Sequence, residues 1–141
     1  MGLTDLLAIR VVSASAKRVE ATMPITPDVL QPFGFVHGGA TLALLETAAS
    51  AGATFEVDLE RERPFGVDVQ VRHRKPGCEG MLRAVAELER EEPSRAGGVK
   101  QFWNVAAYDD EGDVVSEGVI MAKIVPLARL AEKERERNQA R

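Results

Sequence analysis

The chain has 141 residues, 18 of them Lys or Arg and 22 Asp or Glu, for a net charge of -4. That length makes one ordinary core, and the acidic balance excludes the broad basic face that non-specific nucleic-acid binding needs. A single cysteine, Cys78, excludes an internal disulfide and a four-thiolate zinc site, and suits a reducing compartment such as the cytoplasm.

The opening MGLTDLLAIR carries Asp5 and no basic run ahead of an apolar one, so it does not read as a secretory signal. Its first turn, Thr4 to Leu7, is predicted as a short helix with Thr4 as N-cap. Residues 9–13 and 17–25 read as extended segments. A loop rich in Pro and Gly follows, TPDVLQPFGFVHGG. The twenty residues from Val36 to Phe55 hold one formal charge, Glu46. They are long enough to span a bilayer. They are mostly Ala, Gly, Ser and Thr, however, and a carboxylate near the middle is costly in lipid, so a helix from Gly38 or Gly39 to about Glu56, buried within protein, is expected instead.

After the charged connector ERERP, ending in Pro64, residues 65–74 alternate Val67, Val69 and Val71 against Asp68, Gln70, Arg72 and Arg74. Lys75-Pro76-Gly77 is a turn signal. Residues 80–90 place Leu82, Ala84, Ala86 and Leu88 on one face, EEPSRAGG is a loop, and residues 99–108 and 114–125 flank the turn DDEGD. From Pro126 the tail is charged and helix-prone. Strands, a long buried helix and four further strands make an α+β fold, a single domain over 1–141 with an antiparallel sheet curled around the helix.

Two features carry chemistry. Glu46 is the sole carboxylate of the small-residue helix, fit for general-base or nucleophilic work, or for pairing with an Arg of the sheet. Gly38 and Gly39 bare the helix start, where free N–H groups and the dipole polarise a carbonyl as an oxyanion hole does; close entry of the helix against the sheet is the other reason for glycine there.

Gln31-Pro32-Phe33-Gly34-Phe35-Val36-His37-Gly38-Gly39, followed by Leu45-Glu46-Thr47-Ala48-Ala49-Ser50, resembles the hotdog-fold thioesterases of the phenylacetate-type and 4-hydroxybenzoyl-CoA branch. The resemblance implies a hotdog fold and hydrolysis of an acyl-CoA thioester, with no cofactor beyond the CoA of the substrate. It makes Glu46 the catalytic base or nucleophile, Gly38 the oxyanion donor, Gln31 the polar loop group and Ser50 a hydroxyl that holds water. It also implies a homodimer with shared active sites, paired further into a tetramer, and no nucleic-acid or membrane partner. His37 is expected to position the loop or the acyl group, with Gly39, Phe33 and Phe35 beside it. Arg72, Arg74, Lys75 and Arg95 are candidates for the CoA phosphates. His73 reads as structural, and two separated histidines make no metal site.

Two other readings remain. A hotdog dehydratase needs a His paired with the helical acid, where this chain has Gln31. A non-catalytic acyl-CoA-binding module has no use for Glu46. Gly38 and Glu46 are eight residues apart in one helix, about 12 Å along its axis. A site that uses both is therefore expected to need two copies of the chain.

Overall fold

Periodicity of two runs through most of the chain, and the strands it produces pair into one sheet. In this computed structural model, which describes residues 1–95 and 97–141, the strands are β1 (Arg10–Ala14), β2 (Arg18–Pro24), β3 (Glu62–His73), β4 (Met81–Pro93), β5 (Val99–Tyr108) and β6 (Val114–Pro126). Their order is β1-β2-β4-β5-β6-β3, all antiparallel. The helices are α1 (Leu3–Leu6), α2 (Gly38–Thr54) and α3 (Leu127–Gln139), with a 3-10 turn at Pro27–Val29.

The sheet wraps α2, which packs against all six strands. Alternation supplies the inner face: Val19, Ala21 and Met23 from β2, Leu82, Ala84 and Ala86 from β4, Trp103, Val105 and Ala107 from β5. Leu44, Leu45, Ala48 and Ala49 of α2 meet them. Each fully buried Leu contributes about 1.5–3 kcal/mol. The small residues of α2 bring the sheet close. The indole of Trp103 lies flat on Gly52, where an added Cβ would stand 2.7 Å from Cζ3. Trp103 Nε1 donates to Gln101 Oε1 at 3.1 Å, and Gln101 Nε2 donates to Glu91 Oε1 at 2.7 Å, so this buried end of the core is satisfied.

Several expectations change in detail. The first turn is capped at Gly2, whose N–H donates to Asp5 Oδ2 at 3.1 Å, and not at Thr4. The connector expected to end at Pro64 is strand: β3 begins at Glu62, and an edge strand tolerates a proline. In β3, Gly66 pairs with Ala122 and Asp68 with Met121, so Val67 is the extra residue of a bulge. The bulge breaks the expected row of three valines. Val69, Val71 and His73 share the side of Ile120, Gly118 and Ser116, while Val67 has no partner in the ladder. No helix among the described residues is long and apolar enough to cross a membrane.

Candidate active site

The loop before α2 is held at both ends. His37 N–H donates to Val29 O at 2.8 Å and Val36 N–H donates to Gly77 O at 2.8 Å. Within it a tight turn closes by Gly34 N–H to Gln31 O at 3.1 Å, with Gly34 at φ 88, a conformation glycine adopts freely. The Gln31 side-chain Oε1 accepts from Phe33 N–H, and its amide NH2 has no acceptor among the described residues. Phe33 is 83% exposed at the tip and Phe35 40%, so neither is a core anchor.

His37 is the N-cap of α2. Its Nδ1 accepts from Gly39 N–H at 2.9 Å, which places its own proton on Nε2. This bond takes up the amide of Gly39. The Gly38 N–H, one of the unpaired donors of the first turn, has no acceptor among the described residues. Gly38 is also a place where β3 comes close. A Cβ there would stand 2.8 Å from Nε2 of His73, whose Nδ1 meets the buried Ser116 hydroxyl at 2.6 Å. His73 thus packs beneath the helix start, and the space at Gly38 is filled by an imidazole.

Glu46 lies two turns on. With Gly39 and Ser50 it lines a largely apolar cavity of about 720 Å³, walled by Leu3, Ile9, Leu42 and Phe55. Ser50, at i+4, shares its face as expected. Gln31, Phe35 and Gly38 line a separate depression of about 340 Å³ together with His73, Arg74 and Lys75. One chain therefore presents the motif residues in two places: the acid and hydroxyl in one, the open helix donor and loop amide in the other.

The four basic candidates do not form one patch. Lys75 Nζ stands among three carboxylates, 2.6 Å from Asp109, 2.7 Å from Asp113 and 3.4 Å from Glu111. Its bonds to Asp109 and then Asp113 raise the ammonium pKa well above the ordinary Lys value, and the bond from Lys75 lowers Asp109 below the usual carboxylate range. Those carboxylates could gather round a metal ion; the cation between them is Lys75. Arg74 pairs with Glu117 at 2.8 Å. Arg72 pairs in register with Glu117, on the sheet face away from α2, and has no ion pair among the described residues. Arg95 is in the connection that leads into Val99 at the opposite end of β5 from Tyr108, about 30 Å away at 3.3 Å per residue.

Two participants were not singled out from sequence, Gly66 and Ser116; His73, read there as structural, packs beneath the helix start. A glycine inside a strand pattern signals a bulge or a close approach, so Gly66 had a readable mark. Nothing local to Ser116 marks it as the partner of a histidine 43 positions away.

A family model described as the thioesterase superfamily matches residues 33–116, most of the chain and all of α2. The chain belongs to the thioesterase superfamily. Its fold is the hotdog, and it is a thioester hydrolase. Among relatives of this superfamily member, the 1,4-dihydroxy-2-naphthoyl-CoA hydrolase of Listeria monocytogenes is 31% identical over 110 residues, 78% of this chain and 85% of that one. The proofreading thioesterase EntH of Cronobacter turicensis is 31% identical over 78% of this chain and 76% of its own. A thioesterase of Staphylococcus aureus, solved as a mutant, superposes with a TM-score of 0.81 at 27% identity, covering 88% of this chain and 98% of the other.

Proposed function

We propose that this thioesterase hydrolyses acyl-CoA thioesters to free acid and CoA at two equivalent sites, each shared between the chains of a homodimer. The observation that carries the reading is the division of the motif on α2. Gly38 keeps an open N–H at the helix start, and Glu46 faces a different cavity about two turns along. Side by side around a two-fold axis, two copies of α2 set Gly38 of one chain against Glu46 of the other. The relatives that act on 1,4-dihydroxy-2-naphthoyl-CoA support a CoA thioester as the substrate.

In this arrangement the Gly38 N–H, aided by the positive end of α2, receives the charge that grows on the carbonyl oxygen. Glu46 delivers oxygen to the carbonyl carbon. It does so through a water whose proton it takes, or directly, through an anhydride that water then opens. The C–S bond breaks, CoA leaves as thiolate and is protonated. Ser50 and the amide NH2 of Gln31 orient the water and the acyl group.

The test is hydrolysis of aromatic and aliphatic acyl-CoA thioesters by the wild-type protein and by Glu46→Ala. Turnover of at least one thioester is expected, with a loss of at least ~10²-fold in the variant, the low end for a general base, and unchanged circular dichroism. Wild-type rates in Glu46→Ala overturn the reading.

A further inference from the structure

Gly66 of β3 faces α2, since it pairs with Ala122, which is buried on that side. The carboxylate of Glu46 rests directly on it. A Cβ at position 66 would overlap Glu46 Oε1, with the carboxyl carbon at 3.2 Å and Cγ at 3.6 Å. The backbone does not ask for glycine here, because Gly66 is outside the group of glycines with positive φ, which are Gly34, Gly80, Gly97, Gly98 and Gly112. Glycine inside a strand weakens it, so its presence on a long edge strand calls for a reason other than strand stability. The bulge at Val67 follows at once and lets Gly66 and Val69 both face inward.

We propose that Gly66 is a positioning residue for the thioesterase reaction: its missing side chain makes a notch in β3 that seats the Glu46 carboxylate at the height from which it acts. The proposal rests on Glu46 being the catalytic acid. The atom a Cβ would displace is the far end of a flexible side chain, so Gly66→Ala leaves the fold intact and moves the carboxylate instead. The effect therefore falls on chemistry and not on stability. Displacement of a reacting group by about 1 Å can cost ~10²-fold in rate.

The experiment is a double-mutant cycle of Gly66→Ala and Glu46→Asp, with kcat, KM and urea midpoint measured for each protein. Gly66→Ala is expected to lower kcat about tenfold or more, with KM and the midpoint unchanged. Aspartate is one methylene shorter, so its carboxylate does not reach the notch. In that background Gly66→Ala is expected to cost little further activity. Equal losses in both backgrounds, or an undiminished kcat in Gly66→Ala, overturn the proposal. A crystal structure of Gly66→Ala supplies an independent check: a Glu46 carboxylate still seated on residue 66 also overturns it. Glu46→Ala, run alongside, separates the two levels. Lost turnover there with full turnover in Gly66→Ala removes the role of Gly66 alone, whereas full turnover in Glu46→Ala removes the catalytic reading on which it stands.

Discussion

Lys75 shows how a residue that reads as a phosphate contact can be committed elsewhere. Its ammonium is surrounded by Asp109, Asp113 and Glu111, carboxylates of one hairpin turn, and ties that turn to the β3–β4 connection. Asp109 titrates lower in the folded chain than its ordinary value. Its contribution to stability is full above the ordinary carboxylate range and is lost as pH falls through the depressed value. Lys75 titrates higher in the folded chain, so its contribution holds below the ordinary Lys value and fades only as pH rises through the raised one. Lys75→Met leaves three like charges together. The variant is expected to melt lower than wild type at about pH 7 and to recover part of the difference toward about pH 3, as the carboxylates protonate. Thermal melts across that range check this, and KM for acyl-CoA is expected to stay at the wild-type value. Arg72 has no ion pair among the described residues and is free to turn to a phosphate. Arg72→Glu is expected to raise KM, more strongly at low salt, in steady-state kinetics at two ionic strengths.

At the scale of elements, α2 and β3 interlock. Gly38 of the helix admits His73 of the strand, and Gly66 of the strand admits Glu46 of the helix. The two elements run antiparallel, so the fit of His73 lies at the helix start and that of Glu46 about two turns along. The same logic fixes α2 against β5 through Gly52 and Trp103. Alanine at 52 gains about 1 kcal/mol of helix propensity, while overpacking a fully buried ring costs about 1–3 kcal/mol. The ring is pinned by its bond to Gln101 and is 0% exposed, so it has no room to give. Gly52→Ala is therefore expected to be destabilising, with a lower urea midpoint and an unchanged m-value. His37 has a different task. Its cap on Gly39 is worth about 1 kcal/mol and leaves Gly38 N–H as the unpaired donor. His37→Ala is expected to lower both stability and kcat.

For the whole molecule, the telling feature is an edge. β3 closes one side of the sheet with twelve residues, and Phe65, Val67 and Val69 on it are 45%, 49% and 39% exposed. A long apolar edge left bare invites pairing. In the proposed homodimer, two copies joined along β3 would cover it and bring the two α2 helices together. Val67→Asp, at the bulge residue with no ladder partner and 49% exposure, is expected to yield monomers in sedimentation and to abolish turnover while the circular dichroism stays native. Complementation tests the shared site directly. Gly38→Pro removes the donor at a first-turn position whose backbone suits proline, since His37 at φ -60 and ψ 127 already has the extended conformation that precedes it. The proline Cβ meets His73 Nε2, 2.8 Å from that place, so native circular dichroism of the variant is required before mixing. Each of Gly38→Pro and Glu46→Ala is expected to be nearly inactive alone. Mixed dimers are expected to regain one intact site, about half the wild-type activity per dimer by symmetry. No recovery after verified subunit exchange would rule out sharing.

By itself the sequence determined the strands, the long helix and the cluster of motif residues around the helix start. Those features are local. The alternation in Val19, Ala21 and Met23, or in Leu82, Ala84 and Ala86, is carried by neighbours in the chain, and the bare helix start is written in His37-Gly38-Gly39. The bulge at Val67 was decided by tertiary structure, because register depends on how β6 lies beside β3. So was the fate of Lys75, whose carboxylates are more than thirty positions away. So too was the seat of Glu46 on Gly66, where the helix and the edge strand meet only after the sheet has curled. Side chains find such partners through burial and close packing between distant segments, and a pattern of near neighbours does not encode which segments those will be.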